Sequence, residues 1–145
     1  MNAGTLAIVA ATACIDPCVA QTVEAPLSTR VDAEEGEYLV AGNGFAIYLF
    51  KADTRGNARS ECEGECLAAW PPVLVDGASV GDQNIRDELL GTMTRTDAML
   101  QLTYNGWPLY FYAEDYDPGA VNGHDINDFG EDWYLIGPDG ERPRD

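Results

Sequence analysis

"NGWPLYFYAED", Asn105 to Asp115, decides the fold because the chain carries it twice. "NGFAIYLFKAD", Asn43 to Asp53, aligns with it without a gap, at a constant offset of 62 residues (43 to 105). Asn-Gly falls on Asn-Gly, Ile47-Tyr48 on Leu109-Tyr110, Phe50 on Tyr112 and Asp53 on Asp115. Each copy continues through a loop with a glycine, Gly56 or Gly119, to a tryptophan, Trp70 or Trp133. Self-similarity with shared punctuation marks duplicated supersecondary units, each burying its apolar face against the other.

The local chemistry of each copy is that of a hairpin. Both Asn-Gly pairs sit between apolar runs, in "EYLVAGNGFAIYLF" and "LQLTYNGWPLYFY". An Asn-Gly there predicts a type I′ turn, which needs positive φ at both central residues. Leu100, Leu102 and Tyr104 alternate on the strand entering the second turn. On the outgoing strands Ala46, Tyr48 and Phe50 share one face, as do Pro108, Tyr110 and Tyr112, while Ile47, Leu49, Leu109 and Phe111 point the other way. Both faces are apolar, so both should be covered. Pro108 lacks an N–H and predicts an edge or a bulge early in its strand.

Elsewhere, "CLAAWPPVLV" predicts a short helix ended by Pro71-Pro72 and then an extended segment. Asn84 to Leu90 predicts a second short helix stopped by Gly91. "EDWYLIGPDGERPRD" reads as a strand, a Pro-Asp-Gly turn and a polar tail over 137–145. The expectation is a mainly β protein with minor helix, two tandem β-hairpin-based repeats packed into one small domain over 37–136. Repeat one spans about 38–75 and repeat two about 92–136. The polar, aperiodic stretch 21–36 reads as a tether or a first strand.

Eight Lys+Arg against 25 Asp+Glu give a net charge of −17 in 145 residues. Such a field repels phosphate backbones, so no nucleic-acid partner is expected. Residues 1–20 read as an export signal: an apolar run followed by the small-x-small pattern Cys18-Val19-Ala20, although no Lys or Arg precedes Thr5. Cleavage after Ala20 ranks above lipid anchoring at Cys14. Asp16 and Pro17 interrupt the run well short of the ~20 apolar residues of a transmembrane span, so none is expected. The expected location is the periplasm or beyond.

Export leaves Cys62 and Cys66 as the mature cysteines. In an oxidising compartment such a pair predicts a disulfide, and the C-x3-C spacing matches one helical turn. Glu61, Glu63 and Glu65 would raise the thiol pKa values, against a redox-active dithiol, and neither a haem-attachment nor a zinc pattern is present.

These motifs resemble a known family. Tyr-x-Phe-x-x-Asp at 48–53 and Tyr-x-Tyr-x-x-Asp at 110–115 are similar to the Yx(FWY)xxD signature of the secreted repeat family of unknown function, described as predicted lipoproteins. Cys-x3-Cys-x3-Trp-Pro-Pro at 62–72, "TRTDAMLQLTYNGWPLYFY" and "PGAVNGHD…WYLI" extend the likeness over roughly residues 38–136. Ala98 stands where that family usually has Gly, and a charged insert runs from Asp125 to Asp132. The resemblance implies an exported, cell-envelope protein of two repeats, and it implies no activity.

Three constellations could carry chemistry. The loop Glu114–Asp132 holds seven carboxylates, two Asn and the chain's one His. Asp115, Asp117, Asp125, Asn127 and Asp128 supply oxygens of the kind calcium takes, and His124 could join a mixed site for another divalent cation. No EF-hand spacing is present. Asp53 and Asp115 could be paired acid–base carboxylates, as in a hydrolase, but two copies at matched positions favour a structural role, each accepting backbone N–H bonds in an Asx turn. By the same logic Tyr48, Phe50, Trp70, Tyr110, Tyr112 and Trp133 read as packing keystones rather than stacking platforms or electron relays. No G-x-S-x-G, H-E-x-x-H, P-loop or dinucleotide fingerprint occurs. The expectation is a non-enzymatic binding or interaction module with an envelope partner, the alternative a metal-handling protein using 114–132.

Overall fold

The computed structural model describes residues 27–76 and 81–143. The expected export signal and residues 21–26 lie outside them.

The chain forms β1 (Ser28–Asp32), β2 (Gly36–Val40), β3 (Tyr48–Phe50), helix α1 (Glu65–Ala69), β4 (Leu74–Val75), β5 (Leu90–Thr94), β6 (Leu100–Tyr104), β7 (Trp107–Pro108), β8 (Ile126–Asp128) and β9 (Glu131–Leu135). β1 lies in the stretch expected to be a tether or first strand, and it is a strand. Each repeat opens with an antiparallel hairpin, β1–β2 in register Ser28↔Val40 and β5–β6 in register Leu90↔Tyr104.

After these hairpins the repeats exchange partners. β3 of repeat one pairs antiparallel with β9 of repeat two, Phe50 opposite Trp133 and Tyr48 opposite Leu135. The matching strand of repeat two runs along the end of repeat one: Val73 N–H donates to Leu109 O at 2.9 Å and Phe111 N–H to Pro71 O at 2.7 Å. Where the halves meet, Tyr48 N–H donates to Tyr110 O at 2.8 Å and Tyr110 N–H to Tyr48 O at 3.0 Å. That symmetric pair marks a pseudo-twofold relation between the repeats, and the duplicated stretch lies on it.

The alternation seen in the sequence sets the core. Ile47, Leu49, Leu109 and Phe111 pack with Leu39, Val73, Leu102 and Ile136 on one side of the central strands. Tyr48, Phe50 and Tyr110 pack on the other with Trp70, Trp133 and both cysteines. Burial of a large apolar side chain is worth roughly 3 kcal/mol, so these two-sided strands are the main source of stability. Cys62 and Cys66 form the expected disulfide, with Cα atoms 5.3 Å apart. Cys62 precedes α1 and Cys66 lies in its first turn, so the bond ties the approach loop to the helix under the aromatic layer.

Three local expectations need correction. The helix expected over Asn84–Leu90 is only a 3-10 turn, Asp87–Leu89. Leu90 and Gly91 are drawn into β5 by pairing with Tyr104 and Thr103. A Cβ at Gly91 would stand 2.9 Å from Thr103 Oγ1, so this glycine serves strand packing rather than a helix stop.

The two Asn-Gly turns also differ. Asn105 and Gly106 have φ 54° and 82° between paired Tyr104 and Trp107, the expected type I′ turn. The first turn instead has a three-residue loop closed by Ala41 N–H to Phe45 O at 3.0 Å, with only Gly44 at positive φ (87°). Asn43 Oδ1 accepts Phe45 N–H at 3.0 Å, using its side chain locally instead of adopting the left-handed backbone.

The charged insert 125–132 supplies β8 and its turn into β9, with Phe129 and Gly130 at φ 54° and 94°.

Candidate functional site

The repeat aspartates do more than close their own turns. Asp53 Oδ2 accepts the hydroxyl of Tyr110, from the other repeat, at 2.7 Å, and its Oδ1 accepts Glu61 N–H at 2.6 Å. Asp115 mirrors this: Oδ2 accepts the hydroxyl of Tyr48 at 2.6 Å and Oδ1 accepts Asn122 N–H at 2.8 Å. Neither is the Asx turn expected from sequence; each carboxylate reaches across a seven- or eight-residue loop and across the pseudo-twofold relation. The phenol oxygens take further bonds, Ser60 Oγ to Tyr110 at 2.7 Å and Gly123 N–H to Tyr48 at 3.2 Å. Since the Tyr110 proton is committed to Asp53, Ser60 is the donor to Tyr110.

Burial sets the electrostatics. It pushes the Asp53 carboxyl up to about 6, against the pull of its Glu61 and Tyr110 hydrogen bonds. It raises Asp115 as well, opposed by Tyr48 and Asn122. It drives the Tyr48 and Tyr110 phenols far above the ordinary range, helped by the carboxylate each one faces. The phenols stay neutral at pH 7, and each donates its proton to the carboxyl group of the other repeat.

The aromatic keystones form one stack. Phe50 lies on Trp133 with centroids 3.9 Å apart, Trp133 on Trp70 at 3.9 Å, and Trp70 on Tyr112 at 4.1 Å. Phe50 and Tyr112 each stack on the tryptophan of the other repeat. Both tryptophans are fully buried, and the stack ends on half-buried Tyr112. Gly123 lets the acidic loop pass over it, because a Cβ there would come within 2.8 Å of Trp70 Cη2.

Of the loop residues weighed as metal ligands, Asp115, His124, Asn127 and Asp128 already hold other partners. Asp115 serves Tyr48 and Asn122. Asp128 accepts Trp70 Nε1–H on Oδ2 at 3.0 Å and Trp133 Nε1–H on its backbone carbonyl at 3.0 Å. His124 Nδ1 accepts Leu135 N–H at 3.0 Å, and its Nε2 stands 3.1 Å from Glu35 Oε2. Asn127 Nδ2 donates to Asp132 Oδ1 at 2.9 Å. Asp117 and Asp125 are exposed, Asp125 with a left-handed backbone (φ 61°). Among the described residues, no three His, Cys, Asp or Glu side chains gather into a group that could hold a metal ion.

A different feature was missed by the sequence reading. A cleft of about 430 Å³ lies between loop 58–64 of repeat one, with Leu67 of α1, and the β5–β6 turn at 93–97 of repeat two. Buried Met93 and half-buried Leu67 give it an apolar part, and Ser60, Thr94 and Thr96 bring hydroxyls. Arg59, Arg95, Glu63 and Asp97 bring charge. Two wall residues, Ala58 and Gly64, have positive φ (52° and 62°). The corresponding gap in the other half lies between loop 115–125 and the β1–β2 turn, and there His124 bonds Glu35 across it. Loops distant in sequence build the cleft, and the one available signal was that Arg95 and His124 have no counterpart in the other repeat.

The exchanged strands, the reciprocal Tyr–Asp bonds and the shared tryptophan stack define the class: a two-repeat β domain whose halves complete each other. A family model described as a secreted repeat of unknown function matches residues 29–74 and again 91–136, and the chain belongs to that family. No curated protein and no solved structure matches the chain. Among the described residues no helix is long and apolar enough to cross a membrane.

Proposed function

We propose that this chain is an exported, non-enzymatic binding module of the cell envelope, and that its ligand site is the cleft between loop 58–64 and the β5–β6 turn. The observation that carries the proposal is the asymmetry between the halves. What both repeats own (the tyrosines, aspartates and tryptophans) is consumed in holding the halves together. The cleft is open on one side, where its counterpart is bridged by His124 and Glu35. Its volume falls in the range of small-molecule sites. Export rests on the secreted character of the family and on the N-terminal signal pattern.

The divalent-cation alternative in 114–132 has less support, since its best donors already hold the indoles, the phenol and the backbone. Catalysis by Asp53 and Asp115 has less still, because each carboxylate is sealed against a tyrosine. The test is an NMR titration of the isotope-labelled protein with small molecules of four classes: anionic, cationic, zwitterionic and neutral sugar. The expected result is amide shifts centred on 58–64 and 93–97 for at least one class. Shifts confined to 114–132, or none for any class, would overturn the proposal.

A further inference from the structure

Resting on that reading of the cleft, we infer that its ligand is a small zwitterion, an α-amino acid or short peptide with a carboxylate and an ammonium group. The cleft is charged in both senses. Arg59 and Arg95 face it with Glu63 and Asp97, two cations and two anions in a chain of net charge −17. A free anion would be repelled by the whole molecule before meeting the arginines, whereas a zwitterion carries no net charge into that field.

Arg95 is the anchor for the carboxylate. Its side chain is only 9% exposed, which holds the guanidinium in place. Among the described residues the hydrogen bond it makes is Nη1 to Gln101 Oε1 at 2.6 Å, and Gln101 is itself fully buried and pinned to Leu109 O at 2.8 Å. Asp97 forms an ion pair with Arg95, Oδ2 3.7 Å from Nε, too long for a hydrogen bond, so a ligand carboxylate competes only with this exposed partner. A guanidinium has five donors, so a preorganised fork remains for a planar carboxylate. Glu63 and Asp97 are exposed and suit the ammonium end.

Calorimetric titration of the intact protein with glycylglycine, propionate, ethylamine and glucose tests the inference. Glycylglycine should bind at least tenfold more tightly than the other three. Arg95→Lys should weaken it about tenfold, because a point charge replaces the fork, and Glu63→Gln with Asp97→Asn should weaken it similarly. Both acidic positions are exposed, and Asp97→Asn keeps the Oδ1 that accepts Met99 N–H, so the test is independent of folding. Propionate or glucose binding as tightly as glycylglycine at the cleft would overturn the zwitterion and spare the cleft. Binding by none of them at millimolar concentration would overturn the zwitterion, while the four-class NMR titration decides the cleft. Unchanged glycylglycine affinity in both variants would place its binding elsewhere and overturn the assignment of Arg95.

Discussion

The hydroxyl of Tyr48 donates to Oδ2 of Asp115 at 2.6 Å, although 67 residues separate them, and Tyr110 returns the bond to Asp53 at 2.7 Å. Each signature tyrosine thus completes the signature aspartate of the other repeat. The motif is conserved within the chain because each copy supplies half of two identical joints, and one copy alone would leave a buried carboxylate short of a donor.

Removing one donor should therefore be costly. Tyr110→Phe leaves buried Asp53 with a single hydrogen bond, and the desolvation penalty for an under-satisfied group is about 1–3 kcal/mol, more when it is charged. Tyr48→Phe should cost a similar amount through Asp115. Urea unfolding of the two variants checks this, with an unchanged m-value and midpoints lowered by comparable amounts.

Stability should rise as the solution is acidified from pH 7.5 to pH 5. Asp53 binds a proton more readily in the folded chain, at about 6, than at its ordinary value of 3.8. Folding takes up a proton between those values, so this contribution is fully present below about 3.8 and is lost as pH rises through about 6. The raised Asp115 acts in the same direction, as does relief of repulsion among 25 acidic residues. Asp53→Asn should flatten the rise in urea midpoint across that window.

Ala98 closes the β5–β6 turn at φ 72°, with Arg95 N–H bonded to Met99 O at 2.8 Å and Asp97 Oδ1 accepting Met99 N–H at 3.0 Å. This is the geometry of the Ala41–Phe45 turn, where Gly44 takes the left-handed position. An alanine there costs about 1–2 kcal/mol, and glycine returns part of that as chain entropy. Ala98→Gly should therefore stabilise the protein by about 0.5–1 kcal/mol in chemical denaturation.

The Cys62–Cys66 bond closes a five-residue loop, for which chain-entropy arguments give about 2 kcal/mol. Replacing both cysteines by serine should lower the thermal midpoint while leaving the near-ultraviolet tryptophan spectrum native-like. Loss of that spectrum would mean that the bond organises the aromatic layer rather than fastening its edge.

Much of the fold is legible in the sequence because it is local. Alternation over 46–50 and 108–112 puts the tyrosines on one face and Leu49 and Leu109 on the other, as found. Offset counting alone pairs Trp70 with Trp133. The exchange is not legible, since nothing local distinguishes Tyr48 bonding Asp53 from Tyr48 bonding Asp115. The Asn43-Gly44 turn departs from type I′ because the strand pairing from Ala41 to Phe45 leaves three residues to accommodate, not two. Helix does not reach Leu90 because the pull of Tyr104 on Leu90 comes from a strand fourteen residues away, which the local pattern of 84–90 does not show. The acidic loop drew attention as a metal site because composition shows donors and not what they already hold. The cleft was invisible for the converse reason: Arg59, Glu63, Arg95 and Asp97 are unremarkable until two distant loops meet.

The central claim, that the two repeats form one interlocked unit, is tested most directly by native-state hydrogen exchange. Ile47 N–H bonds Leu39 O within repeat one and Leu109 N–H bonds Leu102 O within repeat two, each at 3.1 Å, so each repeat is sampled by a bond of its own. The account predicts that both exchange only through global unfolding, with the same free energy within about 0.5 kcal/mol. If one of them exchanged through an opening about 2 kcal/mol or more below that of the other, one repeat would be unfolding while the other stood, and the interlock would be contradicted.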